Sequence, residues 1–195
     1  MSELGRWVIG ASLVLLAAPV SAQVPAPAAR QVLPVAQPAL PPATKLEGFT
    51  PVAGSVLTIG FDRLGRVGGV SVEVREMRDA KGEARGLVVE VREGQDTRER
   101  AYVDADEIAG LLKAVDAILG VRANPTAFRM FEVHYSTRGE LQLAAFSDPK
   151  GDVSYSVQAG RIGTAQSILD AGEMLTLRGF LDAAVQKLNS IGPGK

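Results

Sequence analysis

Hydrophobic and polar residues alternate with a period of two along several stretches of this chain. In residues 70–75 and 87–92 every second position is Val or Leu. Successive side chains of a β-strand point to opposite faces, so this alternation predicts two strands that each bury one face. A turn at residues 79–82 joins them as antiparallel neighbours. Stretches at 56–61 and 98–103 predict one further strand on each side, which completes a four-stranded meander.

The spacing of apolar residues changes after the fourth predicted strand, from every second to every third or fourth residue. These positions fall on one stripe of an α-helix, which must pack against a sheet. They are Ile108, Leu111, Leu112, Val115, Ile118 and Leu119. Gly120 and Pro125 then end the helix and begin a connection.

The second half of the chain follows the same order of four strands and one helix. Its predicted strands are residues 128–136, 140–146, 153–159 and 162–169. The apolar positions of its predicted helix are Met174, Leu177, Leu181, Ala184, Leu188 and Ile191. The sequence thus predicts an α+β fold in which each helix packs on the sheets.

The two predicted helices also match directly in sequence. Residues 104–119 align with 170–185 at a constant offset of 66 residues, set by Asp104 and Asp170. A repeated unit of this length indicates a duplicated architecture. We therefore expect two tandem copies of one unit, at about residues 55–120 and 128–191, related by a pseudo-twofold axis.

Each predicted helix opens with an aspartate followed three residues later by a glutamate. The pairs are Asp104 with Glu107 and Asp170 with Glu173. Paired carboxylates can perform acid and base catalysis. The same spacing forms a capping box, in which both side chains accept hydrogen bonds from free amides of the first turn. Because capping explains all four residues without a substrate, we expect them to be structural.

The N-terminal region predicts export. Residues 1–22 contain Arg6, an apolar run and the small residues before a cleavage site, which is the pattern of a signal peptide. The apolar run is too short to span a bilayer. Residues 23–44 are rich in Pro and Ala and predict a disordered linker. Residues 45–195 have the length of a single domain, so we expect a soluble protein in the periplasm or outside the cell.

Composition restricts the chemistry further. The chain contains no cysteine, which excludes disulfides and thiolate metal sites. Its 21 basic and 22 acidic residues nearly balance. Residues 60–103 carry nine cations and nine anions, which we expect to form a solvated, self-compensating face. A nucleic-acid surface needs a cationic excess, so no nucleic-acid partner is expected.

No catalytic constellation is visible in the sequence. His134 is the single histidine, and it lies in a predicted strand where a solvent-facing position is expected. A histidine that binds a metal or acts as a base needs further strong partners. The glycines at 65–69 have neither the lysine of a P-loop nor the setting of a dinucleotide fingerprint. We therefore predict no enzymatic activity, no cofactor and no metal.

Aromatic residues of the second half could stack nucleic-acid bases if they lay on an open sheet face. They are Phe128, Phe131, Tyr135, Phe146 and Tyr155, and we expect them to fill the core instead. Four strands plus a helix, used twice over residues 55–191, resemble the arrangement in single-stranded DNA-binding regulators of the Whirly and PUR type. The resemblance concerns element order alone and implies single-stranded nucleic-acid binding as one alternative function.

Three functional hypotheses follow from the sequence. The first is an exported, non-enzymatic module that binds a protein or other macromolecule of the cell envelope or serves as a scaffold. The second is a carrier for an apolar small molecule, which would need an internal apolar cavity. The third is the single-stranded nucleic-acid binder. A catalytic role would require His134, Glu107 and Glu173 to converge in one cleft.

Overall fold

Two four-stranded antiparallel sheets and two helices make up the fold in the computed structural model, which describes residues 42–121 and 125–191. The first sheet contains β1 (Thr58–Val67), β2 (Val70–Asp79), β3 (Gly82–Glu93) and β4 (Thr97–Asp104), and α1 (Ile108–Leu119) follows it. The second contains β5 (Glu132–Ser136), β6 (Gln142–Ser147), β7 (Val153–Ala159) and β8 (Ala165–Leu169), and α2 (Ala171–Ile191) follows it. Strand order equals chain order in both sheets.

This arrangement confirms the predicted α+β class and the two meanders that each precede a helix. None of the helices in the described ranges has the length and hydropathy needed to cross a bilayer. The predicted signal peptide at 1–22, and the predicted linker up to residue 41, lie outside the described residues.

One hydrophobic core joins the two halves of the fold. The alternating Val and Leu residues of β2 and β3 are almost fully buried, as are Leu111 of α1, Leu143 of β6 and Leu181 of α2. All of these side chains belong to a single buried cluster. Since such side chains each contribute about 1.5 to 3 kcal/mol when removed from water, this shared cluster is the main source of stability.

Each helix packs against the sheet of the other half, which the sequence did not predict. The α1 helix follows the first sheet but packs on β6, and α2 follows the second sheet but lies mainly along β1 and β2. The helices also contact each other, and Arg178 of α2 forms an ion pair with Asp116 of α1. The two halves are therefore interlocked.

The first strand is longer than its sequence pattern indicates. The prediction ended it near Phe61, because Gly65 and later glycines follow, but β1 continues to Val67. A β-bulge between Arg63 and Gly65 inserts an extra residue into the pairing with β2. Such a bulge reverses which face the later residues occupy. As a result, Val67 faces the core cluster, whereas in a regular strand it would lie on the same side as Phe61 and Arg63.

Three strands of the second sheet are shorter than predicted. The β5 strand begins at Glu132, four residues after the predicted start, and Phe128 and Met130 are exposed. Glu140 has a φ of 59°, a left-handed conformation that cannot extend a strand, so β6 begins at Gln142. Gly160 has a φ of 115° and lies in the connection that delays β8 until Ala165.

The end of the predicted linker belongs to the folded domain. Thr44 and Glu47 exchange hydrogen bonds, in which the Glu47 amide donates to Thr44 Oγ1 at 3.1 Å and the Thr44 amide donates to Glu47 Oε2 at 3.2 Å. This turn presses Leu46, 1% exposed, onto Met77 and Ala84. Phe49, Leu57 and Tyr102 complete this second cluster.

The first sheet has the main core on one side and the second cluster on the other. Val70, Val72 and Val74 of β2 face the main core, so Met77, of opposite parity in the strand, faces away from it. We call this opposite side the outer face. The chain segment 44–57 covers one end of the outer face and leaves the other end to solvent.

Candidate anion-binding face

A cationic groove occupies the uncovered end of the outer face. It has a volume of about 450 Å³, and six arginines and two glutamates line it. We call these eight residues the arginine face: Arg63, Arg66, Arg75, Arg92, Arg98, Arg100, Glu73 and Glu90. Six positive and two negative charges leave an excess of four positive charges in one groove.

Strand register assembles these side chains from four strands. Across the sheet, Arg63 pairs with Glu73, Glu73 with Val88, and Val88 with Tyr102. In the next row Arg66 pairs with Ser71, Ser71 with Glu90, and Glu90 with Arg100. Directly paired residues share a face of the sheet, so both rows project into the groove.

The bulge in β1 supplies one of the six arginines. Arg63 and Arg66 are three residues apart and would lie on opposite faces of a regular strand. Because the register shifts between Arg63 and Gly65, Arg66 pairs with Ser71 and joins Arg63 on the outer face. Among the residues that the structure describes, Arg66 forms no ion pair.

Glu90 is the centre of one cluster of arginines. Its side chain is only 13% exposed, and it lies 3.0 Å from Arg92 Nη2, 3.0 Å from Arg100 Nη2 and 3.5 Å from Arg98 Nε. Burial by itself would raise the pKa of Glu90. The hydrogen bonds from Arg92 and Arg100 and the charges of Arg100 and Arg98 outweigh burial, so the pKa is lowered.

Glu73 anchors the arginines on the other side of the groove. Arg75 Nε donates to Glu73 Oε1 at 2.9 Å, and Arg63 Nε lies 3.7 Å from Glu73 Oε2. Arg75 is only 15% exposed, whereas Arg63 is 81% exposed. Each guanidinium carries five N–H donors and each carboxylate accepts about four hydrogen bonds. Two glutamates therefore leave many donors of the six arginines for other acceptors.

The cations and anions of residues 60–103 are equal in number, but they are not distributed equally over the surface. The expectation of a self-compensating face was wrong for the outer face, because strand alternation sorts the charges by parity. Glu76 lies on the opposite parity, where Arg85 Nη2 is 2.9 Å away, and Glu93 Oε2 accepts a hydrogen bond from the Gln166 amide at 3.1 Å. Neither Glu76 nor Glu93 therefore neutralises the groove.

The predicted cap at the first helix was wrong. Asp104 is the last residue of β4, and α1 begins at Ile108 with Glu107 as its N-cap residue and no side-chain capping bond. The Asp104 carboxylate instead accepts hydrogen bonds from the Lys45 amide at 2.9 Å and the Leu46 amide at 3.2 Å. The Asp104 carboxylate is therefore bound by amides of the N-terminal turn and not by amides of α1.

Asp104, Asp106 and Glu107 lie close enough together to share a cation, and they do so with Arg138. Its Nη2 atom is 2.6 Å from Asp106 Oδ1 and 3.5 Å from Asp104 Oδ2. Its Nε atom is 3.2 Å from Glu107 Oε2, and its amide donates to Glu107 Oε1 at 2.8 Å. Since a guanidinium already occupies this position, the cluster supplies no free metal site.

The pair at the second helix is positioned differently. The Glu173 amide donates to Asp170 Oδ1 at 2.8 Å, and the Asp170 amide donates to Glu173 Oε2 at 3.0 Å. This reciprocal exchange satisfies two amides at the start of α2. Asp170 is exposed and Glu173 is half-buried, and each carboxylate has an amide partner.

His134 lies on β5 at a side-chain exposure of 58%, where its Nε2 atom is 2.9 Å from Glu132 Oε2. Within the described ranges, the acidic group that could share an ion includes neither His134 nor Glu173. The residues named as a possible catalytic set are therefore not brought into one cluster.

Comparisons with known proteins give no further assignment. No model of a protein family matches the chain, and no curated protein matches it.

Sequence reasoning missed the arginine face, although a signal for it was present. The alternation that buries Val70, Val72 and Val74 also places Glu73 and Arg75 together on the other side. The turn at 79–82 then pairs Ser71 with Glu90. The sequence did not predict the bulge that adds Arg66, or the register of the β3–β4 pairing that places Arg98 and Arg100 on the outer face.

Proposed function

We propose that this protein is a non-enzymatic binding module whose arginine face binds a partner with clustered anionic oxygens. The observation that carries the proposal is the set of six arginines around two glutamates in one open groove. Arginine presents a planar fork of donors that matches carboxylate and phosphate geometry. The excess of four positive charges in the groove attracts an anionic partner.

The two glutamates favour binding by holding the arginines in place. Arg75 and Arg92 are 15% and 35% exposed, and each donates to a glutamate that is itself nearly buried. Ordering a long side chain on binding costs about 0.5 to 1.5 kcal/mol, and these arginines are ordered beforehand. Arg63, Arg98 and Arg100 are at least half exposed, and they supply the donors that reach the partner.

The same features favour binding over catalysis. Glu90 is the most enclosed acid of the groove, and its pKa is lowered by the arginines around it. A general base near neutral pH works best with a pKa near 7, so a carboxylate held in its ionised, fully paired form is unsuited to proton transfer. The groove residues, within the part of the chain that the structure describes, include no histidine.

Export and internal duplication are further parts of the proposal. The signal-like residues 1–22 and the Pro-rich residues that follow support an exported module on a tether. The offset of 66 residues between Asp104 and Asp170, together with the repeated order of strands and helix, supports two copies of one unit. The arginine face belongs to the first copy alone, so the copies would have diverged in function.

The experiment measures binding of the full chain to two soluble polyanions, heparin and long-chain inorganic polyphosphate. Reversing two exposed charges, in R98E/R100E, is expected to weaken both interactions at least about tenfold and to reduce their salt dependence. R129E/K150E is the matched control, because it reverses the same number of charges at two exposed residues outside the groove. Equal binding by R98E/R100E and the unmodified protein, with circular dichroism showing both folded, would refute the proposal.

A further inference from the structure

We infer that the anionic partner of the arginine face is the surface of an anionic phospholipid bilayer. This inference rests on the proposed function and adds a second observation, a group of exposed apolar side chains on the same outer side, which runs from Phe61 beside Arg63 to Val52 near the turn at 79–82. Val52, Val56, Ile59 and Phe61 are 55%, 81%, 44% and 60% exposed. We call these four residues the apolar fringe.

Two residues of the apolar fringe share the outer face with the arginines. In β1, Ile59 pairs with Met77, Phe61 with Arg75, and Arg63 with Glu73. All of these partners lie on the outer side of β2, so Ile59, Phe61 and Arg63 project in one direction. The Arg63 guanidinium carbon is 5.9 Å from the centre of the Phe61 ring, which places a cation directly beside an exposed aromatic side chain.

The other two residues of the fringe lie on a turn above the same face. Phe49 and Leu57, on either side of the turn, pack against the cluster of Met77 and Ala84 on the outer face. Within the turn, the Ser55 amide and hydroxyl donate to the Val52 carbonyl at 3.0 Å and 2.9 Å. This internal bonding orders the turn, and the packing of Phe49 and Leu57 places it on the outer side of the sheet.

A bilayer surface satisfies both groups of side chains at once. Its phosphates accept hydrogen bonds from the arginines, and the boundary between headgroups and acyl chains accepts Val, Ile and Phe. A soluble polyanion would engage the arginines but leave the apolar fringe in water. The fringe lies on a turn and an edge strand, so it projects outward, as insertion requires.

The experiment measures binding of the full chain to vesicles of phosphatidylglycerol and phosphatidylcholine by sedimentation, with pure phosphatidylcholine vesicles as the neutral reference. Binding is expected to the anionic vesicles and to fall with rising salt. Removing one arginine contact lowers partitioning about fivefold, so R98E/R100E is expected to lose almost all binding to the anionic vesicles. V56S/F61S is expected to lower partitioning about tenfold.

Soluble polyphosphate separates this inference from the proposed function. V56S/F61S is expected to bind polyphosphate as tightly as the unmodified protein does, because it retains every arginine. Arginine-dependent binding to polyphosphate without binding to anionic vesicles would overturn the lipid inference and leave the proposed function intact. Vesicle binding that V56S/F61S does not weaken would overturn the role of the apolar fringe. Loss of neither interaction in R98E/R100E would overturn both proposals.

Discussion

The tip of the Phe180 ring of α2 lies directly against Gly65 of β1, across the boundary between the two halves of the chain. A Cβ atom added at Gly65 would lie 2.3 Å from Phe180 Cζ, far inside van der Waals contact. Gly65 is also the residue at which the β1 register shifts. Gly65 therefore leaves room for α2, which follows the second sheet but packs on the first. It also lies at the bulge that brings Arg66 to the arginine face.

Replacing Gly65 with alanine is expected to destabilise the fold. The added methyl must displace the Phe180 ring, and overpacking of this kind costs about 1 to 3 kcal/mol. Chemical denaturation of G65A gives the free energy of unfolding. G60A is the matched control, since a Cβ at Gly60 meets no atom within 4 Å. A G65A/F180L double variant should recover part of the loss, and a G65A protein as stable as G60A would contradict the packing argument.

The Asp104 carboxylate is expected to hold the N-terminal turn on the domain. Its side chain is 3% exposed and accepts hydrogen bonds from the Lys45 and Leu46 amides. Hydrogen bonds to a charged group contribute about 1.5 to 3 kcal/mol, so D104A should lower stability by a comparable amount. Hydrogen exchange should show faster exchange at the Lys45 and Leu46 amides in this variant.

Asp106 provides the control for that experiment. It is exposed and also pairs with Arg138, but neither amide of the N-terminal turn contacts it. D106A should therefore leave exchange at Lys45 and Leu46 unchanged. Equal protection of these two amides in D104A and D106A would show that Leu46 is held by its apolar contacts alone.

The sequence predicted those parts of the fold that a local pattern determines. The valines of β2 and the apolar stripe of α1 were sufficient to predict this strand and this helix, because the periodic apolar positions are also the buried ones. The packing of each helix on the sheet of the other half was not predictable. An apolar stripe specifies that a helix must pack on a sheet but not which sheet, and the choice depends on contacts such as Phe180 on Gly65.

The candidate site was less predictable than the fold, for a related reason. Net charge along residues 60–103 says nothing about which side of a sheet each charge occupies. Arg100 joins Glu90 only because β3 and β4 pair in one particular register. The Asp104 cap failed similarly, since the amides of Lys45 and Leu46 are 59 and 58 residues away in sequence. Such competition between distant partners leaves no local signature.

The hydrogen bonds at the start of α2 make a prediction about helix stability. Removing an N-cap carboxylate costs about 0.5 to 2 kcal/mol, so D170A should be destabilised within this range. D170S should recover most of the loss, because serine can also accept the bond that the Glu173 amide donates. Thermal unfolding of both variants gives the comparison, and equal destabilisation of the two would show that Asp170 acts by its charge.

Glu90 makes a prediction about pH. Its pKa is lowered below the ordinary value of 4.5 by the surrounding arginines, so it binds a proton less readily in the folded than in the unfolded chain. Stability from Glu90 is then fully present above about pH 4.5 and is lost as the pH falls through its folded pKa. Glu90→Gln cannot ionise, and should be less stable than the unmodified protein at pH 7.

The difference in unfolding free energy between the two proteins should shrink as urea denaturation is repeated from pH 5 to pH 3. Asp152→Asn is the control, because Asp152 is exposed and does not line the groove. The same Glu90→Gln substitution removes one negative charge from the groove and leaves all six arginines. Because Glu90 also holds Arg92 and Arg100 in place, polyphosphate should bind the variant no more tightly than the unmodified protein, despite the gain in net charge. Tighter binding of polyphosphate by the variant would show that positioning of the arginines by Glu90 does not favour binding. A stability difference that is independent of pH would show that Glu90 stabilises the sheet by hydrogen bonding without its charge.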